Sequence, residues 1–215
     1  AGETVYWTVA APFSGRFPGI EPVIKHLEKF GADGIPIVGL IGLLMGVALA
    51  INASYQLAPL GALIYVANLV GVALARELGP LITAIVVAGR SGAAFTAQLG
   101  TMKLTEEIDA MRTVGIPPME MLVLPKLIAL AIALPLLSVY ADAMGVAGGM
   151  IMAKAQLDVN YRDFLRRFTD AIQISDYLVG VGKAPVFAAI IAVTGCYQGF
   201  QVSGDAESVG RRTTV

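Results

Sequence analysis

Apolar residues fall along this chain in four long runs, separated by polar segments. The first, Ile35 to about Tyr55, carries no charged side chain and is close to the roughly 20 residues a helix needs to cross hydrocarbon. Asn52, Ser54, Tyr55, Gln56 and Pro59 mark its far end. The second runs from Ala62 to about Ala88 and is interrupted by Arg76-Glu77. The third, Met121 to about Met152, contains Pro125, Lys126, Pro135 and Asp142. It is longer than one span needs, which predicts tilt or a kink at Pro135. The fourth, Tyr177 to about Phe200, is interrupted by Lys183. The pattern predicts an all-α fold, a polytopic membrane helical bundle with four visible spans.

The polar segments have patterns of their own. Val23, Ile24, Leu27 and Phe30 share one helical face, with Lys25, Glu28 and Lys29 elsewhere. Such a helix lies in the interface plane or packs as a soluble helix; the adjoining span favours the first. Residues 1–34 are therefore expected to form an N-terminal segment with an interfacial helix, and 35–215 a transmembrane domain. Between the second and third runs, Gly89 to Ile116 forms a charged, helix-prone island. A charged helix of about three turns does not sit in hydrocarbon, where each ionised group costs several kcal/mol. It is expected on a membrane surface, with its helix at about 103–115. In the polar segment from Lys154 to Asp176, Phe164, Leu165 and Phe168 fit the apolar face of a short surface helix.

Composition supports a bilayer as solvent. Of 215 residues, 56% are hydrophobic and 14% charged, against roughly 25% charged in soluble domains; mean hydropathy is +0.73. The net charge of −1 gives no nucleic-acid footprint. A single cysteine, Cys196, cannot form an internal disulfide and is expected to pack as a small apolar residue. No charged n-region with a short apolar core and cleavage site is visible, so no signal peptide is predicted. Four spans put the N-terminal segment, the island and the tail on one side. The 55–61 turn and the 154–176 segment fall on the other. Arg16, Lys25, Lys29, Lys103, Arg112, Arg211 and Arg212 favour the first side as cytoplasmic, while Lys154, Arg162, Arg166 and Arg167 weigh against it. Gly42 and Gly46, Gly145 and Gly149, and Gly195 and Gly199 recur at helix-contact spacing, which suits a tightly packed bundle or a dimer.

Arg76-Glu77-Leu78-Gly79-Pro80 is the sharpest intramembrane feature. Neighbouring helical residues point about 100° apart, so Arg76 and Glu77 need not pair with each other. Each needs a partner, water or a headgroup. They form either an ion pair that fixes packing or a polar spot in a cavity. Lys183 and Asp142 are single charges that can pair across the third and fourth spans. Catalytic arrangements are absent. The only histidine, His26, precedes the first span, and Gly89-Arg90-Ser91-Gly92 lacks the final spacing of a nucleophile elbow. Gly180-Val181-Gly182-Lys183-Ala184 lacks the spacing and hydroxyl of a phosphate loop. No cluster of His, Cys or carboxylates has metal-ligand spacing. No catalytic residue and no metal is predicted, and any ATP is expected on another chain.

Arg76-Glu77-Leu78-Gly79-Pro80, Ala88-Gly89-Arg90-Ser91-Gly92, Thr105-Glu106-Glu107-Ile108-Asp109-Ala110-Met111 and Arg211-Arg212-Thr213-Thr214 together resemble the motifs of MlaE-type permeases, over roughly Ile35 to Val215. These are transmembrane subunits of bacterial phospholipid ABC transporters of the Mce system. The resemblance implies a homodimer of permeases, two cytoplasmic ATPase subunits that bind ATP and Mg, a periplasmic Mce-domain protein, an inner-membrane location, and a fifth span after Val215. It implies movement of glycerophospholipid that maintains outer-membrane lipid asymmetry. The island then resembles a coupling helix, with Glu106, Glu107, Ile108, Asp109, Met111 and Arg112 meeting the ATPase. The two copies would form a cavity between their first and second spans, open to the periplasm. Leu49, Gln56, Leu57, Leu60 and Leu78 would line it, with Arg76 and Glu77 at its polar depth. A stand-alone secondary transporter is the alternative, against which stand the missing inverted repeat and the charged surface helix. A structural membrane anchor is a third, expected to lack a cavity and to tolerate changes at Arg76.

Overall fold

The computed structural model describes residues 20–157, 159–203 and 206–214. Residues 1–19 with Arg16, and also Asp158 and Val215, lie outside the described residues, so those parts of the expectations have no structural counterpart. Among the described residues the secondary structure is helical, with no strand. Four helical stretches, Ile20–Leu60, Leu63–Leu104, Met119–Gln156 and Ile174–Phe200, are long and apolar enough to cross a membrane.

The predicted interfacial helix and first span are one helix, α1, Ile20–Leu57. It passes through Pro36, which lacks an N–H for the carbonyl one turn back. The Arg90 guanidinium donates to the adjacent Asp33 carbonyl and sits 3.2 Å from its carboxylate. That strap lies in the turn before Pro36. The start of α1 keeps a surface character, with Ile20 and Ile24 exposed and Lys25 paired to Glu21 at 2.7 Å.

Two 3-10 turns, Ala58–Leu60 and Leu63–Tyr65, flank Gly61 at φ 62°. The chain then runs through α2 (Val66–Ala73), a π-turn (Leu74–Leu78), α3 (Gly79–Val87), a second π-turn (Ala88–Gly92) and α4 (Ala93–Leu104). This revises the expected charged island. Its first half continues a long apolar helix, because Ala93, Ala94, Phe95 and Leu99 extend the apolar pattern. Only α5, Glu107–Thr113, is separate, and it has seven residues rather than the three turns expected from 103–115. The break falls at Glu106, whose φ of 59° is left-handed. A π-turn (Met119–Val123) leads into α6, Leu124–Leu157, which is continuous through Pro135. Then follow α7 (Tyr161–Ala171), α8 (Ile174–Phe200) and α9 (Ala206–Thr213).

The chain forms two compact units. One holds the described residues up to Asp33, Ile85–Ala133 and those from Pro185 on. Its core includes Phe95, which meets Phe30 edge-on at 4.9 Å; Phe30 in turn stacks on His26 at 5.4 Å. Lys126 is buried beside them, its ammonium 5.5 Å from the centre of the Phe95 ring. Cys196 is fully buried and packs as a small apolar residue, as expected. Thr96 donates to the Gly195 carbonyl at 2.9 Å, tying α4 to α8.

The other unit holds Gly34–Ala84 and Leu134–Ala184. Its core is built from Ala50, Ala53, Val66, Ala67, Val70, Leu74, Val146, Ala153 and Phe164. Here α1 crosses α6 at close range. A Cβ on Gly46 would collide with the Gly145 carbonyl, and one on Gly42 would lie 2.7 Å from the Ala141 carbonyl. These glycines serve a crossing within the chain. Gly42 and Gly46 are thereby taken up inside one copy, which removes them as candidates for a dimer face. Phe164 is buried and Phe168 leans on the same core, but Leu165 is half exposed, off the face expected for it.

Candidate functional site

The site begins with a proline. In a regular helix the Arg76 carbonyl would accept from residue 80, and Pro80 has no N–H to give. The helix widens instead: the Gly79 N–H reaches back five residues to Leu74, closing a π-turn over Leu74–Leu78. Such turns are rare insertions that re-aim side chains and recur at functional positions. The unpaired Arg76 carbonyl is capped from another helix. Lys183 Nζ on α8 donates to it at 3.2 Å and to Glu77 Oε1 at 2.7 Å.

Arg76 takes a second partner on α8, with Nη1 3.4 Å from Asp176 Oδ1. Asp176 and Lys183 are seven residues apart, two helical turns or about 10 Å. The adjacent charges of one motif thus straddle one stretch of α8, each matched by an opposite charge. The Arg76 side chain is 48% exposed and that of Glu77 65%. Within this unit the ion pairs are not sealed in a core. They lie open on the surface of an apolar helix, where a headgroup or another subunit can reach them.

Asp142 does not pair with Lys183, contrary to the sequence expectation. Lys183 is spent on Glu77 and the Arg76 carbonyl, while Asp142 is buried with Oδ1 pressed against Gly79 and no hydrogen-bond partner. Gly79 admits it, since any side chain there would overlap the carboxylate. The Gly180–Ala184 segment is helix interior, consistent with its not being a phosphate loop.

The residues expected along a cavity wall divide. Leu49, Leu57 and Leu78 are partly buried against one core. Gln56 and Leu60 are exposed, Leu60 at 75%. At the surface helix, Glu106, Glu107, Asp109 and Arg112 are exposed, and Arg112 reaches Asp109 at 3.2 Å. Ile108, expected among the residues that meet the ATPase, is buried within its own chain. It is 2% exposed, because a helix this short is held to its unit by burying an apolar residue. Met111 is half-buried, and the exposed apolar groups are Val114 and Ile116. Lys103 donates to the Phe200 carbonyl at 2.6 Å, anchoring the end of α4 to the end of α8.

Sequence reasoning missed Asp176 and Lys183 as partners of the motif. Their spacing of seven on a helical pattern was the available signal. It also missed the Arg90–Asp33 strap, for which two residues 57 apart gave no local sign.

The family profile described as Permease MlaE matches residues 23–215. A probable ABC transporter permease protein of Rickettsia bellii is 35% identical over 192 residues, covering 89% of this chain and 74% of that protein. A probable ABC transporter permease protein of Synechocystis is 32% identical, covering 89% and 73%. The chloroplastic protein trigalactosyldiacylglycerol 1 of Arabidopsis thaliana is 33% identical, covering 89% and 55%. The matched region contains all three π-turns, the paired charges and the α5 turn, and the chain belongs to the MlaE permease family.

Proposed function

We propose that this chain is the non-catalytic permease subunit of an ATP-driven transporter that moves glycerophospholipid between the bacterial inner membrane and a periplasmic Mce-domain carrier. A second copy would complete the permease, and cytoplasmic ATPase subunits would bind ATP and Mg and supply the energy. Such transport would serve outer-membrane lipid asymmetry. The observation that carries this reading is the exposure of Arg76 and Glu77 on an apolar helix, each paired to a less exposed partner, Asp176 or Lys183. Uncompensated charge at such a level is costly. Matched pairs of both signs lower that cost and can exchange one partner for a phosphate or an ammonium. Their exposure suits a group that meets cargo better than one that only fixes packing.

Leu49, Leu57 and Leu78 would supply the apolar wall beside these charges, with Gln56 and Leu60 toward the rim. The name of the Arabidopsis relative refers to a diacylglycerol lipid, which supports a glycerolipid as cargo. The α5 helix would meet the ATPase through Glu106, Glu107, Asp109, Met111 and Arg112.

Purification of the complex in mild detergent, with identification of the co-purified chains and lipids, tests this. ATPase and Mce-domain chains with bound glycerophospholipid are expected. A preparation with no ATPase, and with no lipid above the level of a control membrane protein, would overturn it.

A further inference from the structure

Four cations, Lys154, Arg162, Arg166 and Arg167, lie in the segment between the third and fourth spans. If the side carrying α5 is cytoplasmic, they oppose the usual bias of positive charge toward that side. The structure gives two of them a specific setting. Helix α7 is pinned by Phe164 and Phe168 to the apolar core of its unit. Its other face opens a pocket of about 510 Å³ whose walls include Ile64, Val159, Asp163, Arg166, Arg167 and Asp170.

The charges in this pocket do not neutralise one another. Asp163 stands three and four residues from the two arginines, and Asp170 four and three, the spacings at which helical pairs form. Yet among the described residues none of the four is ion-paired. Two guanidiniums are left with their donors free for a phosphate, which Arg binds by parallel N–H bonds. Two carboxylates a turn to either side are left free for an ammonium. Ile64, 46% exposed, adds an apolar contact at the mouth. The volume suits a headgroup. The anchoring of α7 on an apolar core puts the pocket where a span gives way to polar chain, the level of headgroups.

We propose that this pocket binds a zwitterionic phospholipid headgroup, with the phosphate on Arg166 and Arg167 and the ammonium on Asp163 and Asp170. It is distinct from the Arg76–Glu77 site and rests on the phospholipid reading above. It gives the transporter a second lipid station. It also gives a preference for ethanolamine-type over glycerol-type headgroups.

The test is native mass spectrometry of the full-length protein in detergent micelles, titrated with dilauroyl phosphatidylethanolamine or dilauroyl phosphatidylglycerol. Arg166→Gln with Arg167→Gln is expected to raise the apparent Kd for both lipids about tenfold or more, with the thermal unfolding midpoint unchanged. Asp163→Asn with Asp170→Asn is expected to weaken phosphatidylethanolamine several-fold and leave phosphatidylglycerol within twofold. A Kd unchanged in the arginine variant would overturn the proposal. So would an equal response of the two lipids to the aspartate variant, or displacement of phosphatidylethanolamine by inorganic phosphate at comparable concentration, which would make this a plain anion site. The phospholipid reading fails separately, by absence of lipid transfer in wild-type vesicles. Transfer that persists beside an unchanged Kd in the arginine variant sinks the pocket alone.

Discussion

Glu106 holds a left-handed backbone at φ 59° that favours glycine. It ends α4 where a helix commonly places glycine. An L-residue there costs roughly 1–2 kcal/mol, so Glu106→Gly is expected to raise the thermal midpoint of the purified protein. A fall would show that the Glu106 side chain makes a compensating contact. Lys126 poses the opposite case. Its ammonium is buried and has no hydrogen-bond partner, with the face of Phe95 nearby. Lys126→Met keeps the stem and removes the orphaned donor, whose burial costs about 1–3 kcal/mol or more. The variant is expected to unfold at higher temperature; a lower midpoint would mean that the cation is stabilised where it lies. Neither the left-handed backbone nor the buried ammonium stood out in the sequence. Glu106 sits in a helix-prone acidic run, and Lys126 read as one charge near the start of a span. Conformation and burial depend on contacts with Phe95 and on the turn after Leu104, which no local pattern encodes. Arg76 and Glu77 did stand out, because a charge pair inside an apolar run is conspicuous; their partners on α8 did not.

At the scale of elements, the apolar runs marked the spans well, since length and hydropathy decide what can cross hydrocarbon. The ends of the helices were less legible. The apolar pattern divides the chain between residues 34 and 35, yet α1 continues through that point, with Arg90 bound to Asp33 just before it. The glycine spacing correctly signalled close helix approach but not which helices approach. The α1–α6 crossing at Gly46 and Gly145 gives the clearest energetic test. Gly46→Ala puts a methyl into the Gly145 carbonyl, and overpacking of this kind costs typically 1–3 kcal/mol. Folding yield and thermal stability should fall even where dimerisation is prevented. Unchanged stability with a weakened dimer would return Gly46 to an interface between copies. The α5 helix carries the second element-scale prediction. Glu107 and Asp109 are exposed on its surface, so Glu107→Lys with Asp109→Lys is expected to release the ATPase while the permease still inserts. Full ATPase co-purification with full transport would remove α5 from the coupling interface.

For the whole molecule, membership of the MlaE permease family and four helical stretches able to cross a membrane fix a multi-pass permease. The function then rests on how charge is tolerated among apolar helices. At Leu74–Leu78 the missing N–H of Pro80 widens the helix, Lys183 caps the freed carbonyl, and Arg76 and Glu77 are matched but exposed. A packing role and a cargo role differ in what they require of assembly. If these charges only hold α8 in place, Arg76→Ala and Glu77→Gln should damage assembly first. If they meet the lipid, the subunits should assemble and the lipid should stay put. The most direct measurement is ATP-dependent transfer of a fluorescent phospholipid from vesicles containing the assembled complex, read beside assembly yield. Wild type is expected to transfer lipid only with ATP, and both variants to assemble normally while losing at least tenfold in transfer rate. Normal transfer in both variants, or loss of assembly in both, would contradict the assignment of this site to the lipid.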